Sequence, residues 1–159
     1  MLRVRIQIGD GEIQDSTVHS LVYLSADHRF AAETKGFEST SYPEEEGEHI
    51  LPKTVDAAFD YKIRFYVRAE GALENANEKI AAFNALLYTQ EEGSDVKTFK
   101  QVHFYNDYKK VLIVGYPKPI HEATDFWRDG SGKAHDIVVV EWVIRVTKPS
   151  LCDFNLESE

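Results

Sequence analysis

Gly132 and Lys133 sit together in the stretch Asp129-Gly130-Ser131-Gly132-Lys133-Ala134, and a glycine-lysine pair of this kind closes the loops that cradle phosphates with backbone N–H groups. Such a loop also needs a glycine where Trp127 stands and a hydroxyl where Ala134 stands, so phosphate cradling fails on two counts. Asp125, Asp129, Gly130 and Asp136 fall at the first, fifth, sixth and twelfth places of a calcium loop, but Trp127 fills the third and the flanks read as strands instead of helices. That stretch reads as a polar turn bearing carboxylates. The six histidines, at 19, 28, 49, 103, 121 and 135, include no pair four residues apart that would present two imidazoles to one metal on a helical face. His103 alternates with Phe99, Gln101 and Tyr105, the pattern of a packing residue on a strand. Ser131 lacks the glycine spacing of a nucleophile elbow. Cys152 is the only cysteine, so no internal disulfide can form, and its polar surroundings read as those of an inert thiol. The carboxylates of Glu44, Glu45 and Glu46 form a solvated run with no apolar pocket to raise a pKa. The residues therefore predict no catalytic group, no cofactor and no metal.

The bulk properties narrow the class further. A chain of 159 residues with 43% hydrophobic and 12% aromatic content can bury one sizeable core and is short for two domains. Eighteen Lys and Arg against 27 Asp and Glu give a formal charge of -9, which repels a phosphate backbone and argues against specific nucleic-acid binding. The opening residues alternate apolar and polar instead of forming a signal peptide, and no run approaches the length of a membrane span. Synthesis and folding in a cytoplasm are the expectation.

The elements that would position these residues follow from periodicity. Leu2, Val4, Ile6 and Ile8 alternate with Arg3, Arg5 and Gln7, which predicts a half-buried strand, and Gly9-Asp10-Gly11 turns the chain. Leu21 to Leu24 is a second strand. From Ala57 to Arg68, Phe59, Tyr61, Ile63, Phe65 and Val67 share one face, against a polar face that only Tyr66 interrupts. The period then changes: Ala76, Ile80, Phe83 and Leu87 make one helical stripe, with Asn75 and Glu78 placed for a reciprocal N-cap. Strands at Thr98 to Tyr105 and Val111 to Tyr116 flank a hairpin loop over 106–110, and His135 to Val146 is a long strand with apolar residues on both faces. Strands of this length leave edges that a neighbouring molecule would have to cover.

The remaining feature is the acidic, proline-bounded segment Tyr42-Pro43-Glu44-Glu45-Glu46-Gly47-Glu48, inside a polar connection that is long for a compact domain. With the strand Phe59 to Val67 after it, the helix Ala76 to Leu87 and the two closing long-strand segments, the stretch from Tyr42 to Pro149 resembles the proteins that form the tube and distal ring of long non-contractile phage tails, in particular distal tail proteins of phages and prophages. The resemblance covers about two thirds of the chain and is one of pattern. It implies an α+β, mainly β fold: an antiparallel β-sandwich or partly closed barrel with one flanking helix, as a single tail-ring domain over 1–148. An extended arm lies at about 36–53, and 149–159 form a polar acidic tail or docking arm. It also implies a non-enzymatic subunit that self-associates into a ring, six-membered in the family, around a DNA channel. Other tail proteins are its partners, and it passes from the bacterial cytoplasm into the virion tail. Receptor- or carbohydrate-binding members carry extra domains, for which this chain has no room.

In that setting the arm is expected to reach an adjacent subunit. The arm from Tyr42 to Lys53 would lie in the interface with Ile50 and Leu51 as apolar anchors, and Glu44, Glu45 and Glu46 would either line the channel or meet Arg3, Arg5 or Arg64 next door. An acidic channel wall would let DNA slide without adhering. A second reading is a β-sandwich module that binds carbohydrate or another ligand, with Trp127, Tyr105 and Tyr108 as its aromatic platform.

Overall fold

A computed structural model of the chain describes residues 2–36, 38–40, 46–47, 49–70, 73–127 and 135–157. The chain runs through β1 (Val4–Ile8), β2 (Gln14–Asp15), a 3-10 turn (Ser16–His19), β3 (Val22–Ala26), β4 (Glu38–Thr40), β5 (His49–Leu51) and β6 (Phe59–Glu70). It continues through α1 (Leu73–Leu86), β7 (Tyr88–Gln90), β8 (Lys97–Phe99), β9 (Val102–Asn106), β10 (Val111–Pro117), β11 (Ala123–Trp127), β12 (His135–Val146) and a closing 3-10 turn (Pro149–Leu151). Among the described residues the fold is α+β and mainly β, with antiparallel sheets, one α-helix and no closed barrel.

Its spine is the pair of 12-residue strands β6 and β12, in register from Phe59 against Val146 to Glu70 against His135. Alternation turns Phe59, Tyr61, Ile63, Phe65 and Val67 inward beside Val138, Val140, Trp142, Ile144 and Val146, and all ten are buried. A large apolar side chain so enclosed contributes about 1.5–3 kcal/mol relative to exposure. On β12 the opposite face, with Ile137, Val139 and Val143, is half-buried.

The main sheet runs β2-β1-β9-β10-β12-β6-β3, with β11 added beside β12. It folds over on itself at β10. Val111 to Gly115 pair with β9, whereas Tyr116 and Pro117 pair with Arg145 and Ile144 of β12. The fold-over brings Phe104 of β9 to within 6.1–6.4 Å of the Tyr61, Phe65 and Trp142 rings. Helix α1 covers one flank, its Phe83 ring meeting Trp142 edge-on at 5.2 Å. Asn84 fastens it there: Nδ2 donates to the Ile120 carbonyl at 2.7 Å and Oδ1 accepts the Ile120 N–H at 2.9 Å. That side chain supplies the backbone partners that the loop around Pro117 and Pro119 lacks.

Three expectations about elements are corrected. The strand expected over Thr98 to Tyr105 is two strands, β8 on β7 and β9 between β1 and β10. At the break Lys100 N donates to the Leu87 carbonyl and Gly9 N to the Gln101 carbonyl, so the backbone changes partner while its alternation continues. Helix α1 begins at Leu73, so Asn75 lies inside it and not at the cap. β11 reaches into the stretch from Asp125 that reads as a polar turn, and it is a strand carrying a bulge between Ala123 and Asp125.

The chain's last described residues occupy an edge that β12 abandons. Beyond Arg145 the two strands diverge. Leu112 and Asp153 there exchange backbone hydrogen bonds of 2.7 and 2.9 Å, Leu156 N donates to the Lys110 carbonyl, and Phe154 packs 6.3 Å from Phe59. Cys152 lies against Val114 in this strap, and burial pushes its thiol pKa up against the pull of the Val114 backbone hydrogen bond.

Candidate functional site

Between β3 and β6 the chain makes an excursion whose outer part, β4 and β5, is a separate two-stranded sheet, while Ala32 near its root packs against the core. β4 and β5 pair through Glu38–Leu51, Ser39–Ile50 and Thr40–His49 and join no larger sheet. Nearer the body the same ladder continues: Lys35 N donates to the Val55 carbonyl, Ala57 N to the Glu33 carbonyl, and Thr34 bridges Asp56. Eight residues on the outgoing side span about 25 Å at the rise of a strand. Glu33 to Gly36 and Leu51 to Asp56 are exposed throughout. Its root is fastened, because Asp27 and the Lys62 backbone exchange hydrogen bonds and the Arg29 guanidinium sits 4.0 Å over the Phe59 ring. A two-stranded ribbon without a packed face is marginal in water. This one also displays Phe30 at 81%, Val55 at 62% and Leu51 at 49% exposure.

Of the residues expected at an interface, Tyr42, Glu44 and Glu45 lie outside the described residues. Glu46 is exposed, Ile50 is paired with Ser39, and Leu51 is exposed at the end of β5. Arg3 and Arg5 lie at the opposite end of the sheet order from Arg64. Arg5 is engaged at home: its guanidinium lies 5.1 Å over the Tyr105 ring and its Nη2 is 3.9 Å from Asp107. Arg3 is exposed, with its backbone N–H on the Asp107 carboxylate.

Arg64 projects from the outward face of β6, 3.6 Å from Glu141 and mostly exposed. Lys62, Arg68 and Arg145 are exposed on the same face, against Asp60 and Glu141. Its described side chains are mostly basic on a chain whose formal charge is -9; alternation already places Lys62, Arg64 and Arg68 together on β6, and pairing with β12 adds Arg145 and Glu141. Among the described residues no group of three or more His, Cys, Asp or Glu side chains could hold a metal ion. No helix there is long and apolar enough to cross a membrane.

Comparison with known proteins gives a likeness of fold. No family model and no curated protein sequence matches the chain. Among solved structures, the crystal structure of the SPP1 Dit (gp 19.1) protein superposes with a TM-score of 0.58 over 92% of this chain and 50% of that one, at 16% identity. The fold is shared with a phage hub protein. SPP1 Dit is described as a paradigm of the hub adsorption apparatus in phages that infect Gram-positive bacteria, and the present chain spans about half its length. At this identity the likeness concerns fold, and it agrees with the mainly β architecture read from the strand pattern.

One titrating group bears on how the helix is held. His19 is half-buried with its ring 5.3 Å from Phe83, and burial lowers its pKa below the ordinary 6.5. The unfolded chain therefore takes up this proton at higher pH than the folded one. The contribution is fully present above pH 6.5 and is lost as pH falls toward the lowered folded value. Glu12 and Lys100 line one surface depression with His19, and Lys79 lines another. Melting temperature should fall between about pH 7 and about pH 5, and a His19→Gln variant should show a shallower fall. Equal slopes in the two proteins would show that His19 does not carry the effect.

Proposed function

We propose that the chain is a non-enzymatic structural subunit of a phage or prophage tail that assembles into a ring, six-membered by the family resemblance, around a DNA channel. The observation that carries this reading is the superposition on SPP1 Dit over nearly the whole chain. Two features of the fold support it. The four-stranded group β11-β12-β6-β3 ends in an edge strand on each side, and edges of that kind call for a neighbour. The β4–β5 arm likewise has an open edge on both sides. In this reading the partners are sister copies and other tail proteins, and the destination is the virion tail.

The arm binds the adjacent copy. Its acidic residues Glu44, Glu45 and Glu46 are complementary to the basic outward face of β6 and β12, where Arg64 stands, while Ile50 and Leu51 supply apolar contact. Arg5 is the less suitable partner because Asp107 and Tyr105 already hold it.

Negative-stain microscopy of the purified protein should show closed rings with an open centre, and light scattering should give a mass several times the chain's 18.2 kDa. A single-chain mass at all concentrations would overturn the assembly. Deleting residues 43–52 should reduce the mass to that of one chain while leaving the far-ultraviolet spectrum β-rich. An unchanged oligomer would remove the arm from the interface.

A further inference from the structure

Where the folded-over sheet stays open, between β1 and β3, lies a cleft of about 500 Å³, within the size range that encloses small ligands. We propose that this cleft binds a neutral saccharide. Its aromatic wall is Tyr23 and Tyr108, whose rings stack at 5.0 Å and 16°; the Tyr108 hydroxyl lies 3.4 Å from the Leu2 carbonyl and half of that residue stays exposed. Tyr23 is held from behind by Asn106, a fully buried side chain whose Nδ2 donates to its hydroxyl at 3.3 Å.

The polar wall carries Arg3 and Arg5 beside Asp15 and Asp107. Two cations and two carboxylates balance, so the cleft is locally neutral on an acidic protein. A phosphate or carboxylate ligand would meet both acids, whereas a sugar hydroxyl both donates and accepts and can use either kind of group. The sugar's C–H face then lies on the tyrosine ring, as apolar surfaces of polar ligands do on aromatic platforms.

The proposal does not use the β6–β12 face assigned to the arm, and it can be tested on the isolated protein. Glucose, galactose and N-acetylglucosamine are titrated in turn, with inorganic phosphate as the anionic probe, and amide shifts are followed by NMR. Saturable shifts confined to residues around 2–5, 15–17, 22–23 and 107–108 are expected for at least one sugar. Tyr108→Ala should weaken that binding about tenfold, equivalent to about 1.4 kcal/mol. Asp15→Asn, which conserves size, should weaken it as well and gives an independent reading should Tyr108→Ala disturb the turn. No saturable shift with any sugar, shifts elsewhere on the protein, a response to phosphate alone, or unchanged binding in both variants would overturn the proposal.

Discussion

Gly115→Ala should destabilise the fold by about 3 kcal/mol, near the upper end of what overpacking a core normally costs. The reason is where β10 changes partner. Gly115 is the last residue paired with β9, opposite Val102, and Tyr116 is the first paired with β12. A Cβ built on Gly115 overlaps the Arg145 carbonyl oxygen and lies 2.8 Å from Ile144 Cγ2 and 2.9 Å from the Arg145 carbonyl carbon. The oxygen and carbon belong to backbone in a 12-residue strand paired along its whole length with β6, so neither can turn away as a flexible side chain would. The added methyl forces β10 and β12 apart at the point where the sheet folds over. Urea unfolding followed by circular dichroism should show a lower midpoint with an unchanged slope. A loss under about 1 kcal/mol would mean that the corner can open without cost, contrary to the packing described.

The second large effect is expected at Trp142. It is fully buried, and its ring meets Phe65 of β6 at 6.3 Å, Phe83 of α1 at 5.2 Å and Phe104 of β9 at 6.3 Å. One side chain thus joins the long-strand pair, the helix and the folded-over half of the sheet. Trp142→Ala should cost about 3–5 kcal/mol, since the cavity is lined by three separate elements that cannot all collapse into it. Against a total stability of about 5–15 kcal/mol for a domain, that loss leaves a protein partly unfolded or prone to aggregate. Trp142→Phe should cost less than half as much. It keeps an aromatic ring in the cluster and removes an indole N–H that is enclosed without a partner. Denaturant midpoints of the two variants, measured together, test this ordering. Equal losses would show that ring size, and not contact with three elements, sets the cost.

Both residues also bear on the proposed surfaces, Gly115 on the cleft and Trp142 on the face assigned to tail assembly. Gly115 sets how the β9 half of the sheet stands against β12, and hence how wide the cleft between β1 and β3 remains. Trp142 supports β12 from inside, and the opposite face of that strand carries Glu141 and Arg145 beside Arg64. A destabilised variant is therefore expected to lose assembly along with stability, whereas the arm deletion is expected to lose assembly alone.

The sequence by itself determined β6 and β12, because ten inward residues at a period of two admit no other element. It determined α1 through Ala76, Ile80, Phe83 and Leu87, and it determined that the spacings around Gly132, Asp125 and the histidines do not form the motifs they partly match. Only the tertiary structure decided that β10 serves two partners, that the chain between Phe99 and Val102 changes sheets, that β11 is a strand, and that Asp153 takes the edge β12 leaves. It alone set Arg145 and Glu141 beside the Arg64 face and brought Tyr23 beside Tyr108. The physical reason is that side-chain alternation reports which face of a strand is buried, a local property, while pairing is made by backbone N–H and C=O groups that every residue carries alike. Which edges meet is fixed by residues distant in the chain, such as Arg145 over Gly115, and leaves no periodic trace.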